Sequence, residues 1–451
     1  MTPHEPRADR FCYDGFTINA GTGEVRCSYS TGGHTFTETY QFDPDGDWDS
    51  PAAHAAIRIL FLLAGVSYYK TTAAPVIDLG ALGTTAGERR FLTDFYRNGL
   101  AEFAYRNGIE LHALAVVGPD IPHLTSAGYV PIADRPLIPF GGGIDSIVTV
   151  AALQIAHPQA ALCIVHPPAN RFAAIESAAS VTKLPVTRVI REIDPLVRRS
   201  AELGFLNGHV PITAVISAAA LVAAVLDHRD AVVLSNEWSA SAPTLVDGGR
   251  AVNHQWSKGD EFEQSFATLV VDALGPNIAV FSYLRSRSEL WVAEQFARLN
   301  EFHGAFRSCN RSFHQNAAQR LDHWCGACDK CCFIDLILAP YMSAVDLGTV
   351  FAGHEPLENP ELQSQFETLL GLEPDAKPFE CVGDTDECRT ALRLAAARPD
   401  RRDTQMLVRL LARVTRAEGP DMSLDADPHA PMGPHYIPDR YVPSDLLVRA
   451  D

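Results

Sequence analysis

The sequence predicts an α/β protein. A doubly wound parallel sheet occupies its middle, an α+β domain precedes it, and a helical region that gathers four cysteines around zinc follows. Three observations carry this prediction. From Arg135 to about Leu290, apolar strand-length runs alternate with helical patterns, the order expected of βα units in a parallel sheet. One such run, residues 137–140, passes into Gly141, Gly142 and Gly143 and then into Ile144, Asp145 and Ser146 at the head of a helix. Glycines at that junction let the chain turn sharply and bring free backbone N–H groups against an anion. Finally, Cys325, Cys328 and Cys331 follow Cys309 with fifteen residues between, a spacing that suits four thiolates on one ion. The expected divisions are residues 1–134, 135–300 and 301–451.

Composition sets the bounds. A chain of 451 residues is long enough for two or three domains, because single cores stop growing near ~250 to 300 residues. Hydrophobic content of 47% with 20% charged residues describes a globular protein. The formal net charge of −18 argues against nucleic acid as a partner, since affinity for a phosphate backbone comes from basic surface. The first eleven residues hold no apolar signal core, and no run approaches the ~20 apolar residues of a membrane span. A cytoplasmic location without a membrane partner is expected. Ten cysteines are too dilute for a disulfide scaffold.

In the first segment, residues 25–30 and 35–42 alternate apolar and polar side chains on either side of Gly32 and Gly33, the pattern of a β-hairpin. Helical spacing follows over 52–69 and 88–107. No motif with chemistry appears here, so this part reads as a substrate-recognition domain, a lid or a structural cap. In the middle segment, residues 160–166, 186–191 and 231–235 suit buried strands, and 171–182 and 212–227 suit helices. Ligands of such sheets sit beyond the carboxyl ends of the strands, which selects residues 141–146, His166 and residues 236–241. Two polar stretches, SNEWSAS (235–241) and VNHQWSKG (252–259), combine an aromatic plate with amide, hydroxyl and ionisable groups, the composition of a small-molecule site. Within them His254 can titrate near neutral pH, Lys258 can neutralise a phosphate or carboxylate, and Glu237 can hold Mg2+ or act as a base. Arg285 follows the apolar run 278–283, where it can clamp phosphate or carboxylate through paired hydrogen bonds.

In the last segment, four protein ligands leave no open position for water, so a zinc ion there is structural. Cys332 is the spare thiol and His323 a less favoured fourth ligand; an iron–sulfur cluster is the alternative occupant. Residues 361–372 and 389–414 have amphipathic helical spacing, and the Pro- and Asp-rich stretch from about 418 reads as an extended arm.

Gly142, Gly143, Asp145 and Ser146 are similar to the Ser-Gly-Gly-x-Asp-Ser signature of the ATP pyrophosphatase (PP-loop) superfamily, with Gly141 in place of its first serine. The lysine of a Walker loop and the Gly-x-Gly-x-x-Gly of a dinucleotide loop are both missing. Together with the cysteine run, this loop resembles the 7-cyano-7-deazaguanine synthases. The closer resemblance is to the ATP-dependent UDP-N-acetylmuramoyl-L-alanyl-L-glutamate epimerases, carried by the loop, SNEWSAS, VNHQWSKG and the run from Cys325 to Cys331.

That resemblance implies an adenine nucleotide alpha hydrolase-like fold with ATP as co-substrate, Mg2+ and a structural Zn2+. It implies a UDP-MurNAc-dipeptide as substrate, whose terminal L-Glu becomes D-Glu through an acyl-adenylate in peptidoglycan synthesis. Gly141, Gly142, Gly143 and Ser146 would then hold pyrophosphate, and Asp145 with Glu237 the Mg2+. His166, and His209 within a Pro-containing turn, would contact the nucleotide. Lys258 or Arg285 would offset charge, and His254 and Glu237 would serve as acid and base. Another carboxylate-adenylating PP-loop enzyme and a nucleotide-sensing module stand as alternatives, and the oligomeric state is left open.

Overall fold

The computed structural model describes residues 8–122, 128–168, 170–314, 316–372, 379–380, 382–418, 427 and 429–442. The strands are β1 (Arg10–Asn19), β2 (Glu24–Thr31), β3 (His34–Gln41), β4 (Val76–Asp78), β5 (Ala115–Val117), β6 (Ile132–Pro139), β7 (Ala161–His166), β8 (Val186–Glu192), β9 (Arg229–Leu234), β10 (Leu245–Asp247), β11 (Arg250–Val252) and β12 (Ala279–Ser282). Among the described residues, ten of them form one sheet in the order β12-β9-β6-β7-β8-β3-β2-β1-β4-β5, and β10 with β11 makes a separate hairpin. From β12 to β8 every neighbour is parallel. The antiparallel strands β3, β2 and β1 extend this sheet through the pairing of Thr39 with Glu192, and β4 and β5 add a parallel edge.

The helices are α1 (Pro51–Ala64), α2 (Val66–Tyr69), α3 (Ala86–Gly99), α4 (Ala101–Asn107), α5 (Ile144–Leu153), α6 (Ala173–Thr182), α7 (Pro195–Arg198), α8 (Ile212–Leu226), α9 (Asp260–Leu274), α10 (Glu289–Ala297), α11 (Asp329–Leu338), α12 (Ala344–Val350), α13 (Gln363–Leu369), α14 (Thr385–Ala397) and α15 (Gln405–Glu418). The sheet separates two cores. Leu137, Ala161, Cys163, Val189 and Val232 face a core shared with α1, α8 and α9. Ile138, Leu162, Ile164, Ala231 and Val233 face the other, shared with α5, α6, α10 and α11. Burial on both faces explains why these strands read as continuous apolar runs rather than alternations.

Local chemistry sets the helix ends. Ser50 caps α1 by accepting from the Ala53 N–H at 3.2 Å, with Pro51 at the first helical position. Thr85 and Glu88 form a capping box on α3. A Cβ on Gly65 would stand 2.7 Å from the Tyr13 hydroxyl oxygen, and the predicted helix over 52–69 divides there into α1 and α2. Together this 19-residue stretch is long and apolar enough to cross a membrane, against the expectation that no run approaches that length. It is, however, 83% buried within the fold, as a core helix is.

The predicted helix over 389–414 is two helices. Residues before a proline disfavour helical backbone, and Pro399 ends α14 and starts a short turn before α15. The strands β1, β4 and β5 had no counterpart in the sequence reading. At the far end, Arg440 and Tyr441 return to the sheet, bonding Asp230 at 3.0 and 2.8 Å, and the Tyr441 ring packs on Phe281.

Candidate active site

The glycine turn joins β6 to α5. Gly142 has φ +74°, and a Cβ there would lie 3.1 Å from Ile175 Cα and 3.2 Å from the Ala174 carbonyl oxygen. The left-handed backbone and the close approach of α6 both demand glycine. Gly143 is the N-cap of α5, and no side chain caps the N–H groups that follow. The Ser146 hydroxyl donates to the Gly143 carbonyl at 3.1 Å. Uncapped amides at the positive end of a helix dipole form a cradle for an anion.

A buried acid cluster stands beside this cradle. Glu237, Glu289 and Glu387 are all buried. Burial first, then the charges of Glu237 and Asp145, hold the Glu289 carboxyl well above the carboxylate range, while Lys330 works the other way. Burial, and then Asp384, push Glu387 up to about 8. Its Oε1 accepts from the Glu289 N–H at 2.7 Å, and its Oε2 has no hydrogen-bond partner among the described residues. Oxygen donors gathered in this way around one lysine are of the type that hold a hard divalent cation such as Mg2+. Asp145 and Glu237, named from the sequence, therefore belong to one neighbourhood. Glu289, Glu387 and Lys330 were not foreseen; Glu289 follows the N-cap Ser288, where a carboxylate reads as ordinary helix-start chemistry.

His166 ends β7 and lines a cavity of ≈ 900 Å³ together with Lys70, Phe172, Arg191 and Arg320. Its Nδ1 must carry the proton, because it donates to the Pro167 carbonyl at 2.9 Å. Its Nε2 is buried and makes no hydrogen bond among the described residues, so it offers an acceptor to a ligand. Val210 and Ile212, which flank the Pro-containing turn, line the same cavity. His209 itself packs against His254, ring centroids 4.1 Å apart and planes tilted by 38°. His254 Nδ1 lies 2.5 Å from Glu102 Oε2, a partner on α4 that no motif announced. Lys258 donates to Gln255 Oε1 at 3.3 Å.

Arg285, expected to clamp a phosphate or a carboxylate, clamps the carboxylate of Glu263 within the fold. It is wholly buried. Its Nε and Nη2 donate to Glu263 at 2.9 and 2.8 Å, Nη1 to the Glu237 carbonyl and the Ser241 hydroxyl, and Nη2 also to the Lys258 carbonyl at 2.5 Å. These bonds use the full set of guanidinium N–H groups and tie the SNEWSAS and VNHQWSKG segments to α9. Arg285 is thus a positioning residue for both segments.

Cys309, Cys325, Cys328 and Cys331 converge. Sγ separations of 3.6 Å (Cys325 to Cys331) and 3.4 Å (Cys328 to Cys331) approach the ~3.8 Å edge of a tetrahedron with zinc–sulfur bonds of about 2.3 Å. Hydrogen bonds from Cys325, Cys328 and Cys331 hold the Cys309 thiol below its ordinary range, and the bond to Cys309 pushes Cys328 and Cys331 above theirs. Four thiolates coexist here only if a cation neutralises them. Cys332 is buried in the apolar core, and His323 pairs with Asp322 at 2.8 Å. The cluster reaches the glycine turn: a Cβ on Gly143 would lie 3.8 Å from Cβ of Ser308, the neighbour of Cys309.

A glycine cradle at the carboxyl edge of a mostly parallel sheet, walled by buried acids and a four-thiol segment, defines an α/β enzyme. Its relatives make this particular. Residues 3–283 match the MurL N-terminal domain and residues 305–424 the MurL C-terminal domain. Three similar proteins are named UDP-N-acetyl-alpha-D-muramoyl-L-alanyl-L-glutamate epimerase, each 36% identical. The relative from Xanthomonas oryzae pv. oryzae aligns over 87% of this chain and 86% of its own, that from Micromonospora sp. over 96% and 97%, and that from Salinispora tropica over 96% and 95%. The chain belongs to this MurL epimerase family. No solved structure matches it.

Proposed function

We propose that the protein epimerises the terminal L-glutamate of UDP-MurNAc-L-Ala-L-Glu after ATP has converted its carboxylate into an acyl-adenylate with release of pyrophosphate; water then cleaves the adenylate, and AMP leaves with the D-glutamyl product. The relatives' shared name supports the substrate. The observation that carries the ATP step is the uncapped α5 N-terminus behind the left-handed Gly142, a cradle suited to pyrophosphate.

Activation answers a chemical need. A glutamate α-hydrogen beside a free carboxylate is hardly acidic, because the negative charge opposes a second one on the adjacent carbon. Adenylation removes that charge, and an enolate-like intermediate becomes accessible. In this reading Gly141, Gly142, Gly143 and Ser146 hold the leaving pyrophosphate. Mg2+ held by Asp145 would supply charge neutralisation at the phosphates. His166 Nε2 accepts from the adenine amino group, and the basic lining of the cavity offsets nucleotide charge. Lys258 stands against charge developing at the glutamyl end, while His254 and Glu237 exchange the α-proton. The four cysteines would hold a closed structural zinc. The first segment contributes Lys70 to the lining of that cavity. A UDP-linked precursor places the reaction in the cytoplasm, in peptidoglycan synthesis.

The test is direct. The purified protein is incubated with UDP-MurNAc-L-Ala-L-Glu and Mg2+, with and without ATP, and the hydrolysed product is resolved by chiral chromatography. D-glutamate should appear together with AMP, and only with ATP. AMP without D-glutamate would sink the epimerase reading and leave carboxylate activation standing.

A further inference from the structure

We propose that Glu102, His254 and His209 form one half-buried proton-transfer unit, in which Glu102 is the positioning residue that fixes His254 for exchange at the glutamyl α-carbon. The inference rests on the epimerase reading and names residues and roles that reading lacks. It moves His209 from nucleotide contact to proton transfer.

The geometry is that of a carboxylate–imidazole pair. Glu102 is buried on α4, with Oε2 at 2.5 Å from His254 Nδ1 and Oε1 at 2.7 Å from Arg106 Nε. Each carboxylate oxygen has its own partner. With Nδ1–H donating to Glu102, the ring's other nitrogen, Nε2, becomes the atom that accepts or delivers a proton. His209 packs tilted against this ring, centroids 4.1 Å apart, and hydrogen-bonds the His254 backbone. Two imidazolium ions that close would repel, so the pair carries one proton.

The charges around the pair agree. Burial works to raise the Glu102 carboxyl, but the hydrogen bond and charge of His254, with His209 and Arg106, outweigh it and hold the carboxyl below its usual range. Burial, then His254, push His209 down to about 4, with Lys70 adding to the effect. His209 is thus the ring that stays neutral, which leaves His254, beside the carboxylate, as the ring able to take up a proton. Glu380 also faces His254 and accepts from Asn310 Nδ2 at 3.0 Å.

Two chains of contact place the unit at the site. Ser308 lies against Gly143 of the cradle, and Asn310 two residues on meets Glu380, which faces His254. Asn253, beside His254, donates to the Ala240 carbonyl at 2.9 Å, in the segment that carries Glu237. The three residues also suit a metal by type. Two ligands of one zinc ion, however, stand about 3.3 Å apart, and the 2.5 Å separation of Glu102 and His254 is a hydrogen bond. The cations Arg106 and Lys70 flank the group and oppose a further one.

The experiment compares the wild-type protein with Glu102→Gln, Glu102→Ala and Glu102→Asp in D2O. It follows AMP formation, deuterium entry at the glutamyl α-carbon and D-glutamate. Losing a positioned acid–base group costs on the order of 100-fold or more. Exchange and D-glutamate should fall by that factor in Glu102→Gln and further in Glu102→Ala, while AMP formation falls only a few-fold. Glu102→Asp should recover part of the loss. The acid limb of the exchange rate should move about one pH unit lower in Glu102→Gln, because an imidazolium without its carboxylate is less favoured. Parallel loss of AMP and D-glutamate with an unmoved pH profile would reduce Glu102 to a structural role and overturn the proposal. So would metal content above one ion per chain that falls in Glu102→Gln. A wild-type protein that makes no D-glutamate overturns both readings; wild-type turnover with a fully active Glu102→Gln overturns this one alone.

Discussion

Replacing Gly142 with alanine tests the glycine turn at its tightest point. The residue has φ +74°, and an added Cβ meets two backbone atoms of the α6 entrance at 3.1 and 3.2 Å, neither of which belongs to a flexible side chain. Left-handed backbone costs an L-residue ~1 to 2 kcal/mol. Pushing α6 outward by a few tenths of an ångström adds a packing cost of about 1 kcal/mol. The sum, ~2 to 3 kcal/mol, is 30- to 150-fold in an equilibrium, at ~1.4 kcal/mol per factor of ten. Gly141 supplies the control: no atom lies within 4 Å of its added Cβ and its φ is not in the left-handed range. Gly141→Ala should therefore stay within about 0.5 kcal/mol of the parent. Urea unfolding reports the stability difference, and ATP–pyrophosphate exchange with the UDP-dipeptide reports the cradle. Gly142→Ala should lose stability by the stated amount and lose most of its exchange, while Gly141→Ala, whose added Cβ meets nothing, keeps its stability. Equal behaviour of the two variants, or loss confined to Gly141→Ala, would refute the assignment of the anion site to this turn.

Two further outcomes follow from the same geometry. Cys331→Ser should release the metal, read as zinc per chain by mass spectrometry falling from one to near none, whereas Cys332→Ser, altering a thiol outside the cluster, should retain it; retention in Cys331→Ser would remove the four-thiol assignment. His209 binds its proton later in the folded chain, at about 4, than in the unfolded chain at about 6.5. Its folded value is depressed, so the stability it contributes is whole above pH 6.5 and is lost as the pH falls towards 4, by at most about 3 kcal/mol. His209→Asn should flatten that slope in urea titrations at pH 7 and pH 5, and an unchanged slope would place the acid sensitivity elsewhere.

The parts of the fold that were legible in the sequence were those where one physical demand dominates. The strands β7 and β9 are buried on both faces, so their apolar runs marked them. The hairpin of β2 and β3 alternates because one face is covered. Gly142 and the cysteine spacing declared themselves because few other residues satisfy a left-handed turn or a tetrahedral ion. By contrast, β4 and β5 have three residues each, too few to display a period of two. Glu102 was silent for a different reason. On α4 it reads as an exposed acidic residue in a first turn, and only the arrival of His254, 152 positions later, explains its burial. Arg285 misled because an arginine after a strand suits an anion equally well whether the anion is phosphate or the carboxylate of Glu263.

That last ambiguity has a consequence for how the site is held. The polar segments that carry Glu237, His254 and Lys258 have little regular structure, and backbone of that kind moves unless its hydrogen bonds are closed. Arg285 closes several at once, with its N–H groups all used within the fold. A buried pair such as Arg285 with Glu263 is not a source of stability by itself, since desolvation offsets attraction. Its worth here lies in fixing two loops from one point within α9, so that the acid near the cradle and the imidazole near α4 keep their separation while a substrate turns over between them.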